Sequence, residues 1–136
     1  MKRTIALPLC AVALATQMLS AAAQGKPSDD RSSAARIQNP VNSTAASIAA
    51  GEKTYTAQCV ACHGASGKGD GKAAANLDPK PADLTDDNWA HGSSDGELFA
   101  VIRDGSKGTG MKGYGSKLSA NDIWNLVNYL RSIGPK

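Results

Sequence analysis

Two thiols and an imidazole stand together in the run Cys59-Val60-Ala61-Cys62-His63. Two intervening residues put the sulfurs about one turn apart on the same face of a helix end. Several chemistries use such a pair. A redox dithiol of the thioredoxin kind needs strands around it, and no period-2 alternation flanks these residues. A structural zinc site needs four ligands, usually with a second Cys or His pair, and the only other histidine is His91. A disulfide between cysteines three apart closes a small, strained loop of little stabilising value.

The spacing with histidine immediately after the second cysteine is the attachment signature for c-type haem. Cys59 and Cys62 can bond the two vinyl groups along one porphyrin edge. His63 then swings under the ring and ligates iron through one imidazole nitrogen. The other ring N–H should donate to a backbone carbonyl, which fixes the ring; Pro79 and Pro81 are the candidate donors of that carbonyl, with Pro81 preferred. Two residues compete for the sixth iron position. Met111 lies in the glycine loop Gly108-Thr109-Gly110-Met111-Lys112-Gly113-Tyr114, which offers a sulfur without burying it in a helix stripe. A thioether opposite histidine raises the reduction potential. Met111 could instead fill a gap in the packing. His91, just before a helix start, would give bis-histidine ligation or be an ordinary turn residue.

The elements that must position these groups are helical. A helix is expected from Thr44 or Ser43, as cap, to about His63-Gly64, with Gly51 as its odd member. Residues 64–92 read as loop. Ser94-Asp95-Gly96-Glu97 has the form of a capping box, so a short helix should run from Asp95 to Arg103, with Leu98, Phe99 and Ile102 inward and Gly105 ending it. Gly105 to Gly115 holds five glycines and must be irregular. Ser119 should cap a last helix in which Ile123, Leu126, Val127 and Leu130 recur at helical spacing, stopped by Gly134-Pro135. All six aromatic residues lie after residue 50, so the core must lie there too. It is thin for a segment of this size, and a large flat apolar cofactor would complete it.

Residues 1–23 read as a secretory signal: Lys2 and Arg3, a mostly apolar stretch from Ile5 to Leu19, then Ala21-Ala22-Ala23. Cleavage is expected after Ala23, because the stretch falls short of the ~20 apolar residues a bilayer span needs. Cys10 would be lost with it, and membrane association is expected only if the segment is retained. Residues 24–44 are polar and small, with Ile37 and Val41 as their large aliphatics, and are expected to form a flexible segment. Residues 45–136 form the third part, the haem domain.

The formal charge of +3 carries no argument for nucleic acid. Lys2 and Arg3 supply two of those charges, and residues 45–136 hold ten basic and ten acidic residues, so the folded part is neutral. Lys107, Lys112 and Lys117 surround Met111 and could form a local basic rim for an acidic patch on a redox partner.

Over residues 48–133 the sequence resembles the class I c-type cytochromes, of the small bacterial monohaem kind. The likeness is carried by Gly51, Tyr55 and Cys59 in one helix, the Cys59-x-x-Cys62-His63 motif, the stretch from Leu84 through Asp104, Gly110-Met111, and Tyr129-Leu130. It implies an all-α cytochrome c fold, with three main helices and long loops wrapped around one covalent haem c. It also implies that Gly51 lets the last helix cross closely, against Leu126 and Tyr129, and that Met111 is the distal ligand. The function expected is an exported, periplasmic electron carrier with no catalytic site of its own. It would shuttle single electrons between partners such as a dehydrogenase, an oxidase or a respiratory complex, or serve as a dehydrogenase's cytochrome subunit. A peroxidase or a gas sensor would need an open or labile sixth position.

Overall fold

A computed structural model describes residues 33–135. The expected signal segment and residues 24–32 lie outside the described residues. Helix α1 spans Ala45–Gln58, α2 Val60–His63, α3 Asp95–Asp104 and α4 Ala120–Ile133, with a 3-10 helix at Lys72–Asn76 between α2 and α3. Among the described residues there is no strand, only an isolated bridge between Gly105 and Lys112, and no helix is long and apolar enough to cross a membrane.

The helix starts follow local chemistry. Thr44 is extended and its hydroxyl accepts from the Ser47 N–H at 3.1 Å, satisfying one of the N–H groups that a helix start leaves free. At α3 the Ser94 side chain accepts from Glu97 N–H while the Glu97 carboxylate accepts from Ser94 N–H, a reciprocal box. Ser119 and Asp122 repeat that arrangement at α4.

The core forms where α1 and α3 pack on α4. Eight consecutive residues of α4, Ile123 to Leu130, are buried. The buried stripe of α1 is Ser47, Gly51 and Tyr55. Gly51 is the crossing point: a Cβ there would lie 2.1 Å from the Asn125 carbonyl oxygen and 2.8 Å from Tyr129 Cβ. The facing pair is therefore Asn125 and Tyr129 rather than Leu126 and Tyr129. One turn on, the Tyr55 and Tyr129 rings meet at 5.2 Å, and on the other flank Phe99 stacks on Trp124 at 4.1 Å.

Two expectations are corrected. Residues 33–44, taken with the flexible segment, lie against the core: Ala34 is buried, and Asn39 donates to the Trp124 carbonyl at 3.0 Å and to Asn128 Oδ1 at 2.9 Å. Asn128 in turn donates to the Val41 carbonyl at 3.0 Å and to Ser47 Oγ at 2.7 Å. Polar bonds hold this stretch beside the buried Ala34 and the partly buried Val41, and a composition argument weighs only apolar area. The first helix also does not run unbroken to residue 63. It bends at Cys59 (φ −112°), where the Cys62 N–H bonds back to the Cys59 carbonyl at 3.1 Å, three residues rather than four.

Candidate haem site

The bend at Cys59 sets the motif on its own short helix. Cys59 and Cys62 are free thiols, both half-buried. Burial, then the nearby Cys62, raises the Cys59 thiol to about 11. A dithiol tuned for exchange has a lowered value instead, so a redox role is disfavoured by this environment. The helix carrying the thiols is fixed at its end by Tyr55, whose buried hydroxyl donates to the Gly64 carbonyl at 2.8 Å.

His63 Nδ1 lies 3.1 Å from the Ala82 carbonyl oxygen. Burial lowers the imidazole's proton affinity, opposed by that bond. Burial favours the neutral ring, and because a carbonyl only accepts, Nδ1–H is the donor and Nε2 is left as the electron-pair donor. The carbonyl belongs to Ala82, not to Pro81 or Pro79. The Pro81 carbonyl points at Gly69 instead, where a Cβ would come within 2.3 Å of it, and Gly69 has φ +73°.

Met111 is half-buried against the core. Its loop is closed by the Gly105–Lys112 bridge, and the Tyr114 and Gly115 N–H groups bond to the carbonyls of Ile102 and Arg103, each at 2.9 Å. The Tyr114 hydroxyl reaches the Gln58 carbonyl at 3.0 Å, next to Cys59. Burial foremost, and then Cys59 and Cys62, raise the Tyr114 hydroxyl, so both thiols lie within its electrostatic reach. The fold therefore returns the methionine loop to the neighbourhood of the Cys-His motif. Leu77 packs against Gly110; it is the one large aliphatic between His63 and Leu84, and that isolation in a polar stretch was its signal. The roles of Tyr114 and Ala82 had no such signal. His91 is engaged elsewhere, its Nε2 2.8 Å from Ser106 Oγ.

Free thiols with two residues between them, an oriented imidazole and a surrounding of half-buried apolar side chains suit a covalent haem. This site on an all-α fold of three main helices defines a c-type cytochrome domain, an electron-transfer protein carrying haem c. Residues 46–130 match the family described as cytochrome c oxidase, cbb3-type, subunit III, and the chain belongs to that family. It is 35% identical over 86 residues to the cbb3-type cytochrome c oxidase subunit FixP of Bradyrhizobium diazoefficiens, covering 63% of this chain and 27% of that one. The FixP subunit of Azorhizobium caulinodans is 31% identical over 84 residues, 62% of this chain and 26% of that one. The chain thus spans about a quarter of the length of the curated relatives it matches. Among solved structures, a Kuenenia stuttgartiensis reducing HAO-like protein complex is similar with TM-score 0.66 and 30% identity, over 72% of this chain and 49% of that chain. Cytochrome cL of Methylophaga aminisulfidivorans is similar with TM-score 0.55 and 26% identity, over 66% and 57%.

Proposed function

We propose that this protein is an exported single-electron carrier whose haem is bonded to Cys59 and Cys62, with His63 and Met111 as axial ligands. The observation that carries this is the His63 ring, oriented by Ala82 at 3.1 Å beside two free thiols. When bound, haem supplies an iron that changes its charge by one electron without making or breaking covalent bonds. The chain's own residues do the rest. Ala82 orients His63, Tyr55 pins the end of the motif helix, and the loop around Met111 is tied to both α1 and α3. With Met111 as sixth ligand the iron has no open position, so the protein carries electrons and has no catalytic site of its own. The Ser106 bond of His91 favours Met111 over a second imidazole.

Residues 1–23 direct export to the periplasm and are cleaved after Ala23. The partners are redox proteins: a dehydrogenase, an oxidase or another respiratory complex. The oxidase-subunit names of the relatives support the second of these. Lys107, Lys112 and Lys117 are exposed around the methionine loop and form a basic rim for an acidic partner surface; transfer rates should fall with rising ionic strength.

The deciding experiment is expression with the haem-attachment machinery followed by denaturing electrophoresis and spectroscopy. Haem should stay on the denatured chain, and the oxidised protein should show a sulfur-to-iron charge-transfer band. The reduced protein should not bind carbon monoxide, whereas Met111→Ala should. Loss of haem on denaturation, or an unchanged spectrum in Met111→Ala, defeats the assignment.

A further inference from the structure

His91 is the one histidine that the proposed haem site leaves unused, and its position is not incidental. Its Nε2 sits 2.8 Å from the hydroxyl of Ser106, a buried residue at the base of the methionine loop. Ser106 in turn holds the Met111 carbonyl directly and the Met111 N–H through Thr109. The Ser106 N–H donates to the Met111 carbonyl at 3.1 Å. The Ser106 carbonyl accepts from the Thr109 hydroxyl at 2.8 Å, and the same Thr109 oxygen accepts from the Met111 N–H at 3.1 Å.

We propose that His91 is a positioning residue for Met111: it clamps Ser106, and Ser106, directly and through Thr109, fixes the backbone on either side of the methionine's Cα. The proposal rests on reading Met111 as the sixth ligand. The loop needs such a clamp, because five glycines between residues 105 and 115 make its ordered state entropically costly. His91 can supply it because its own turn is anchored to a helix. The Gly92 N–H bonds to the Trp89 carbonyl at 3.0 Å, the Trp89 indole N–H donates to the Asp86 carbonyl, and the Arg131 guanidinium of α4 lies 5.9 Å over the Trp89 ring. Arg131 is itself paired with Asp95 of α3 at 2.7 Å. Order at the helix pair is thereby passed through residues 89–91 and Ser106 to the methionine. A serine hydroxyl both donates and accepts, so the contact suits either tautomer of the imidazole.

The test uses the haem-loaded protein. In His91→Ala, added imidazole should bind the ferric form about tenfold more tightly, the factor that about one hydrogen bond's worth of lost order gives. The reduction potential should fall and the sulfur-to-iron band should weaken. Amide exchange at Met111 and Ser106 should accelerate, while the amide of buried Leu126 keeps its wild-type rate. His91→Gln, which can restore a bond to Ser106, should recover most of each change. Ser106→Ala should match His91→Ala, and the double variant should be no worse than either. Wild-type imidazole affinity and wild-type Met111 exchange in His91→Ala overturn the proposal. So does equal acceleration at Leu126, which marks general destabilisation. If His91→Ala does not retain haem, Ser106→Ala, which deletes one oxygen, is read by the same criteria. Met111→Ala run alongside separates the two claims: imidazole affinity no higher than wild type there defeats the ligand assignment, while amide exchange in His91→Ala still reports the clamp.

Discussion

The Tyr114 hydroxyl donates to the Gln58 carbonyl at 3.0 Å, across 56 residues of chain. Gln58 ends α1, and Cys59 follows it. Tyr114 leaves the glycine loop three residues after Met111. One hydrogen bond therefore joins the last residue before the thiol motif to the loop that carries Met111. The carbonyl it serves lies in the last turn of α1, where helical partners run out.

Tyr114→Phe tests that link with little change in packing, since the ring stays. Removing the bond should cost about 1 kcal/mol, read as a lowered denaturation midpoint with unchanged slope. Because the bond constrains the loop, the sulfur-to-iron band should also weaken. A variant with wild-type stability and spectrum would show that the loop is held by its other contacts alone.

Gly51→Ala should destabilise the protein although alanine is the better helix former by ~1 kcal/mol. The added methyl would lie 2.1 Å from the Asn125 oxygen, and neither backbone can yield without separating α1 from α4. A net loss of roughly 2–3 kcal/mol is expected from overpacking. Thermal melting of the haem-loaded protein measures it, and an unchanged or higher midpoint would rule out the close crossing.

Much of this architecture was legible in the sequence, and the exceptions share a cause. Ser94, Gly105, Ser119 and Gly134 marked helix ends because caps act within three residues of themselves. The stripe Ile123, Leu126, Val127 and Leu130 marked α4 because its side chains are apolar at helical spacing. The buried face of α1 escaped that logic: Ser47, Gly51 and Tyr55 are polar, absent and aromatic in turn, with no hydrophobic period to read. The bonds from Asn39 to Asn128 and from Tyr114 to Gln58 span 89 and 56 residues, and long-range polar pairs leave no local pattern. At the site, the thiols and His63 announced themselves by spacing. Choosing Ala82 over Pro81 as the His63 partner required the path of a loop, which no residue type in it dictates.

Asn128→Ala should be among the costlier substitutions remote from the haem site. The amide of Asn128 serves the Val41 carbonyl, Ser47 and Asn39, all at or below 3.0 Å, and Asn128 itself is 4% exposed. Truncation removes one hydrogen bond each from Val41, Ser47 and Asn39 and opens a gap beside the core, and a loss of roughly 2–3 kcal/mol is expected. The same change should free residues 33–44, so the amides near Val41 should exchange faster than those of α3. Equal acceleration everywhere would mean that the segment is not held through Asn128.

The residue whose carbonyl orients His63 is followed directly by a turn, and that turn gives a pH signature. Asp83, next to Ala82, accepts from the Thr85 hydroxyl at 2.6 Å and from the Thr85 N–H at 2.8 Å. The Thr85 hydroxyl foremost, then the Thr85 N–H, with Lys68 as a minor aid, holds the Asp83 carboxyl below its ordinary range, against a small opposing burial effect. A depressed carboxylate contributes stability above its unfolded value and loses it as pH falls through the folded one. The turn should therefore be intact at neutral pH and loosen only in acid. Thr85→Val removes the larger of the two bonds, so the Asp83 carboxyl should titrate at higher pH, and the loosening should begin at higher pH with it. Nuclear magnetic resonance titration of the Asp83 side chain reads the first effect, and the His63 ring N–H signal, followed through the same titration, reads the second. If Asp83 titrates identically in both proteins, the Thr85 hydroxyl does not hold the turn. If Asp83 shifts and the His63 signal does not, the turn is not what fixes the Ala82 carbonyl.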